Sequence, residues 1–192
     1  MTSPSGPVSP SRPWQTRLLI VTLLGAAVSI ALGVYGRFHD PAGQQTVTVF
    51  FGSTLAFKAW MATVVVTLAL VQLLTALRIW GKISWPKTMP SWFGQVHRLS
   101  GTLAFLASLP VAYHCLWAIG FEPDLTQTRR FAHSLLGCLF YGAFLVKVFV
   151  VRSHNLGGSV LPVIGGTVFT TLVALWLTSS LWFFTTVGFP GF

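Results

Sequence analysis

The chain has 192 residues, 53% of them hydrophobic and 8% charged, with a mean hydropathy of +0.72. A soluble globular domain carries about a quarter charged residues, so this composition excludes one and points to a polytopic membrane protein. The net charge of +9 does not call for a nucleic-acid partner, because the basic residues sort by loop rather than gather in one patch.

In chain order, MTSPSGPVSPSRP opens the sequence with Ser and Pro and almost nothing to bury. Residues 1–15 are therefore expected to be a disordered cytoplasmic tail, and residues 16–192 a single transmembrane domain. Crossing a hydrocarbon core of ~30 Å takes ~20 helical residues. Apolar runs of that length cover about 18–36, 55–80, 95–120, 131–152 and 160–184. The expected fold is all-α, a polytopic bundle of about five transmembrane helices. Arg12 and Arg17 precede the first run as they would in a signal peptide, but the run is long and GVYGRFHDP, which follows it, lacks a small-residue cleavage site.

The connecting loops set the orientation. Arg12, Arg17, Arg78, Lys82, Lys87, Arg98 and Arg152 fall on the side of the N-terminus, against Arg37, Lys58, Arg129 and Arg130 on the other. The positive-inside rule puts the N-terminus in the cytoplasm and the C-terminus outside, as expected of a multi-pass protein of a bacterial plasma membrane. Trp14, Trp80, Trp85 and Trp92 belong to the inner interface, and Trp60, Trp117 and Trp182 to the outer one. The first outer loop, GRFHDPAGQQTVTVFFGST, has room for a short strand or interfacial piece. The inner loop GKISWPKTMPSWFGQ is basic and aromatic, suited to anionic headgroups. Ser134, Cys138 and Gly142 form a small-residue stripe for helix packing, and Gly165 with Gly166 is expected to do the same.

The third and fourth spans each carry a histidine near either end, His97 and His114 on one, His133 and His154 on the other. An antiparallel hairpin would set His114 near His133 and His97 near His154, and intramembrane histidines are functional candidates by default. Paired imidazoles, an apolar slot and cations near the surface are what a b-type haem requires. His97 and His133 are each followed four residues later by glycine, Gly101 and Gly137, where a macrocycle could lie against the helix. Arg98 adjoins His97, and Arg129 and Arg130 precede His133, as partners for propionates. The expected site is thus one haem b on His114 and His133, with a second on His97 and His154. Phase argues for the outer pair. The 17 steps from His97 to His114 leave them about 100° apart on a straight helix, unless Pro110 kinks it.

The segment HRLSGTLAFLASLPVAYH resembles the haem-carrying helix of ferric reductase and cytochrome b561-type membrane proteins, with its His-Arg, nearby Gly and second His. That resemblance implies a transmembrane electron conduit fed by a redox partner protein or a quinone. In the reductase pattern the second histidine lies about four turns on, where this chain has Pro110 and Val111. HSLLGCLFYGAFLVKVFVVRS and LWLTSSLWFF are also similar to a group of small five-helix bacterial membrane proteins that carries no assigned activity. LGGS is no dinucleotide fingerprint, so a membrane oxidoreductase or electron-transfer subunit would take its electrons from elsewhere. A secondary transporter is disfavoured by the absence of carboxylates within the spans. A copper site on His114, Cys115, His133 and Cys138 is chemically open. The principal alternative is a cofactor-free membrane anchor or assembly subunit whose histidines bond to neighbouring helices.

Overall fold

A computed structural model describes residues 13–41, 48–153 and 158–189. The Ser/Pro-rich segment 1–12, part of the first outer loop, His154 and the last three residues lie outside the described residues. Every regular element among the described residues is helical: α1 (Pro13–Phe38), α2 (Thr54–Ile79), α3 (Phe93–Tyr113), a π-helical segment π1 (His114–Ile119), α4 (Thr128–Arg152), α5 (Val160–Trp176), a second π segment π2 (Leu177–Leu181) and α6 (Trp182–Thr186). Five helical spans, α1, α2, α3–π1, α4 and α5–π2–α6, are long and apolar enough to cross a membrane. The third is the least apolar, at a mean hydropathy of 1.5 against 2.0 to 2.4 for the others.

Local chemistry explains the element ends. Proline suits the first turn of α1, where its missing N–H has no partner to lose, and the helix starts within the stretch 1–15 expected to be tail. Ser53 caps α2 by accepting from the Ala56 N–H at 3.1 Å. Pro110 sits inside α3 without an N–H to continue the ladder, and four residues later the helix widens into π1. Gly120, at φ 82°, ends π1 and donates to Cys115 O at 2.9 Å, a bond spanning five residues. Residues 48–53 of the first outer loop form turns and bends, and the rest of the stretch considered for a short strand, 42–47, lies outside the described residues.

Around the bundle the helices run α1, α4, α5, α2, α3, and α1 touches π1 to close the ring. The tightest seam lies between α1 and α4, where a Cβ on Gly142 would collide with Gly25 O and Ser29 Oγ. The expected stripe therefore works in part as helix contact. Cys138 stands opposite Gly33, and Ser134 Oγ accepts from the Glu122 N–H at 3.2 Å. Gly165 and Gly166 do not follow the expectation, since a Cβ on either would meet nothing within 4 Å. The two histidine-bearing helices, α3 and α4, make at most marginal backbone contact and face each other across the interior. Side chains bridge the gap at mid-height. Phe105 stacks on Phe144 at 4.3 Å, and Tyr141 donates to Ser108 O at 3.0 Å.

Candidate functional site

Beyond the Tyr141–Ser108 bridge, toward the end where α2 and α4 begin, the gap opens into a cavity of about 650 Å³. Its wall combines apolar residues of all five spans with both π segments, Cys115 and Ala118 from π1 and Thr178 and Ser179 from π2. π-helical turns recur at functional sites because widening the helix re-aims side chains and frees carbonyls. Carbonyls in or beside both segments take side-chain donors here. Thr178 O accepts from Arg129 Nη1 at 2.7 Å, and Pro110 O accepts from His114 Nδ1 at 2.6 Å.

His133 reaches the cavity from the second turn of α4. Its Nδ1 lies 3.0 Å from Thr178 Oγ1, whose own proton is directed at Ala174 O, 2.8 Å away. The hydroxyl oxygen is thus the acceptor and Nδ1 carries the hydrogen, which leaves Nε2 to act as an acceptor. That nitrogen faces Cys115 Sγ at 4.0 Å. Lys58, on α2, lines the same cavity.

Charge at the cavity is unbalanced. Lys58, Arg129 and Arg130 line it against the single carboxylate of Glu122, which lies 3.9 Å from Arg130. The Arg130 and Glu122 side chains are 61% and 23% exposed, so that pair is a loose surface contact. Arg129 is held more firmly, with its guanidinium 3.8 Å above the Trp182 ring. Outside the membrane-spanning segments, Asp124 accepts from the hydroxyl and the backbone N–H of Thr126, and these bonds hold its carboxyl below the ordinary range.

His114 and His97 both turn toward α2, and the expected partner of His97, His154, lies outside the described residues. His114 is 2% exposed and packs against Phe57 of α2 at 5.1 Å between ring centroids. Its Nδ1, facing a carbonyl, must carry the hydrogen, which leaves a buried Nε2 without a hydrogen-bond partner. His114 is not part of the cavity wall; its neighbour Cys115 is. His97 also turns to α2, with Nδ1 2.8 Å from Thr75 Oγ1. Gln72 of α2 donates to His97 O and to Ser100 Oγ and accepts from Lys147 at 3.3 Å. The space above Gly101 belongs to the Gln72 side chain rather than to a flat ligand. Gly137, in contrast, lies on the cavity wall with nothing within 4 Å of where a Cβ would stand. Arg98 is exposed and lies off the cavity wall. His39 stacks between Tyr35 and Trp117, at 4.9 and 4.5 Å. Among the described residues, no three His, Cys, Asp or Glu side chains converge as a metal-binding group.

Sequence reasoning missed Thr178, Lys58 and Gln72 as site residues. The available signal was polarity out of place, a hydroxyl, an ammonium and an amide inside runs otherwise apolar, where each group needs a partner.

Fold and cavity together define a multi-pass helical membrane protein built around an internal, cation-rimmed pocket. The chain belongs to DUF6529, a family of unknown function whose family model matches residues 18–191. No curated protein and no solved structure matches it.

Proposed function

We propose that the protein is a b-type cytochrome-like electron carrier of the plasma membrane, with one haem in the cavity between α3–π1 and α4. The observation that carries this reading is the state of His133. Thr178 fixes one ring nitrogen as a donor, and the other, left as an acceptor, meets the Cys115 sulfur at the wall of a cavity of about 650 Å³. Histidines that bind metals are oriented in this way, by an outer partner that fixes tautomer and ring position. The size lies in the range of cofactor pockets. Lys58, Arg129 and Arg130 suit two propionates.

In this reading His133 of α4 would hold the haem together with a donor from the adjacent pair His114 and Cys115 of π1. Haem contributes one-electron chemistry at its iron. The chain's own part is to bind and orient. Gly137 leaves room beside the α4 backbone, the apolar wall excludes water, and the cationic rim anchors acidic groups at the membrane surface. Stacked Phe105 and Phe144 with the Tyr141–Ser108 bridge close the cavity's inner end. A redox partner protein or a quinone would deliver or remove electrons, and the membrane itself is the surrounding partner through the lipid-facing helices.

The test is a reduced-minus-oxidised absorption spectrum of protein purified from haem-replete cells, with haem quantified per chain. One haem per chain is expected, and His133→Ala is expected to remove it while the protein stays in the membrane. A colourless, well-folded preparation overturns the reading and leaves a cofactor-free anchor or assembly subunit as the better account.

A further inference from the structure

We infer that Cys115 and His133, rather than two histidines, are the axial donors of this cavity. The inference rests on the haem reading above and settles which member of the His114–Cys115 pair in π1 faces the iron. Three observations lead to it. Cys115 lines the cavity with His133, whereas His114 does not. The sulfur and the imidazole Nε2 already meet each other at 4.0 Å, as a weak hydrogen bond. A first-row metal binds sulfur at about 2.3 Å and imidazole nitrogen at about 2.0–2.1 Å, so a linear S–metal–N arrangement spans about 4.3–4.4 Å. The observed separation falls short of that by a few tenths of an ångström, a difference that a change in the Cys115 χ1 angle can absorb.

The third observation is charge. A thiol ligates as the thiolate, and a thiolate in an apolar bundle requires a cation close by. Lys58, near the start of α2, lines the same cavity and supplies that charge. His114 then has a different task. Its Nδ1–H adds a second bond to Pro110 O, which already accepts from the His114 backbone N–H, and so pins the turn from which Cys115 faces the cavity. His114 is a positioning residue in this arrangement, held through Nδ1 while its Nε2 stays buried without a hydrogen-bond partner.

The experiment uses the full chain in detergent, with two readouts. The first is absorption and low-temperature electron paramagnetic resonance of the ferric protein. Wild type is expected to give a low-spin thiolate signature, Cys115→Ser to lose it while retaining haem on His133, and His114→Asn to keep it. The inference is overturned if Cys115→Ser leaves the spectrum of wild type intact and His114→Asn abolishes the low-spin state, the result two histidine ligands would give. The second readout is independent of mutants. Alkylation of Cys115 by a small maleimide, followed by peptide mass spectrometry, is expected to slow at least tenfold when haemin is added to protein from haem-deficient cells. Equal rates with haem demonstrably bound overturn the inference alone. Wild type that binds no haem brings down the haem reading and this assignment together.

Discussion

Thr178 acts on the site through a single oxygen, which accepts from His133 Nδ1 while its proton occupies Ala174 O. Valine in its place keeps the branched shape and removes the acceptor, so the His133 ring loses its fixed tautomer and its Nδ1–H loses its partner. Outer partners of this kind are worth about 10- to 100-fold in metal affinity. Thr178→Val is therefore expected to weaken haem binding by about that factor, read by titrating haemin into haem-free protein and following the absorption band. Thr178→Ser, which retains the oxygen, should stay close to wild type. Equal affinity for all three proteins would mean that His133 is not the iron ligand. The positions of His133 and Cys115 were readable from the sequence. Their facing each other was not, because that depends on the rotation of π1, and one shifted hydrogen-bond register leaves no trace in hydrophobic periodicity. Pro110 was the visible sign that the register might change.

Between elements, the α1–α4 seam sets the tightest limit on substitution. Gly142 approaches Gly25 backbone to backbone, with the Ser29 hydroxyl and a Val146 methyl pressed into the same contact. Gly142→Ala must push α1 away and is expected to cost about 1–3 kcal/mol, the usual penalty for forcing extra volume into a packed contact. Gly165→Ala adds its methyl into open space and removes a helix-interior glycine, so it should be neutral or stabilise by about 0.5–1 kcal/mol. Thermal unfolding in one detergent, followed by loss of monodisperse protein, separates the two. Comparable losses would mean that the Gly25–Gly142 contact does not hold the helices together. The spacing of small residues correctly marked Ser134, Cys138 and Gly142 as contact candidates. It assigned the same role to Gly165 and Gly166, which the bundle leaves open, because a small residue permits close approach without identifying a partner. The five spans themselves were legible to within a few residues, since hydropathy over 18 or more residues is a strong signal.

Across the whole molecule, chain order did not reveal the order of the ring. Sequential α3 and α4 invited a packed hairpin, but α4 lies between α1 and α5, and α2 takes the place beside α3. The reason is chemical as well as steric. Gln72 of α2 bonds to His97 O and Ser100 of α3 with its amide nitrogen and to Lys147 of α4 with its oxygen, so one side chain ties three helices together. Lys147 has no carboxylate within reach, because Asp40, Glu122 and Asp124 all lie at the opposite end of the bundle. Its ammonium depends on Gln72 and on proximity to the membrane surface. Gln72→Leu strands that charge and both amide contacts, and should lower stability by about 1–3 kcal/mol. Lys147→Met removes a costly charge with no opposing carboxylate and is expected to be neutral or stabilising. In the double variant Gln72→Leu with Lys147→Met, the loss should be smaller than for Gln72→Leu alone, since no ammonium is then left without an acceptor. Unfolding of the single and double variants in the same micelles measures this coupling directly. If Lys147→Met proves as damaging as Gln72→Leu and the two losses add, the ammonium is held by something other than Gln72, and the three-helix tie is not what fixes α2 beside α3.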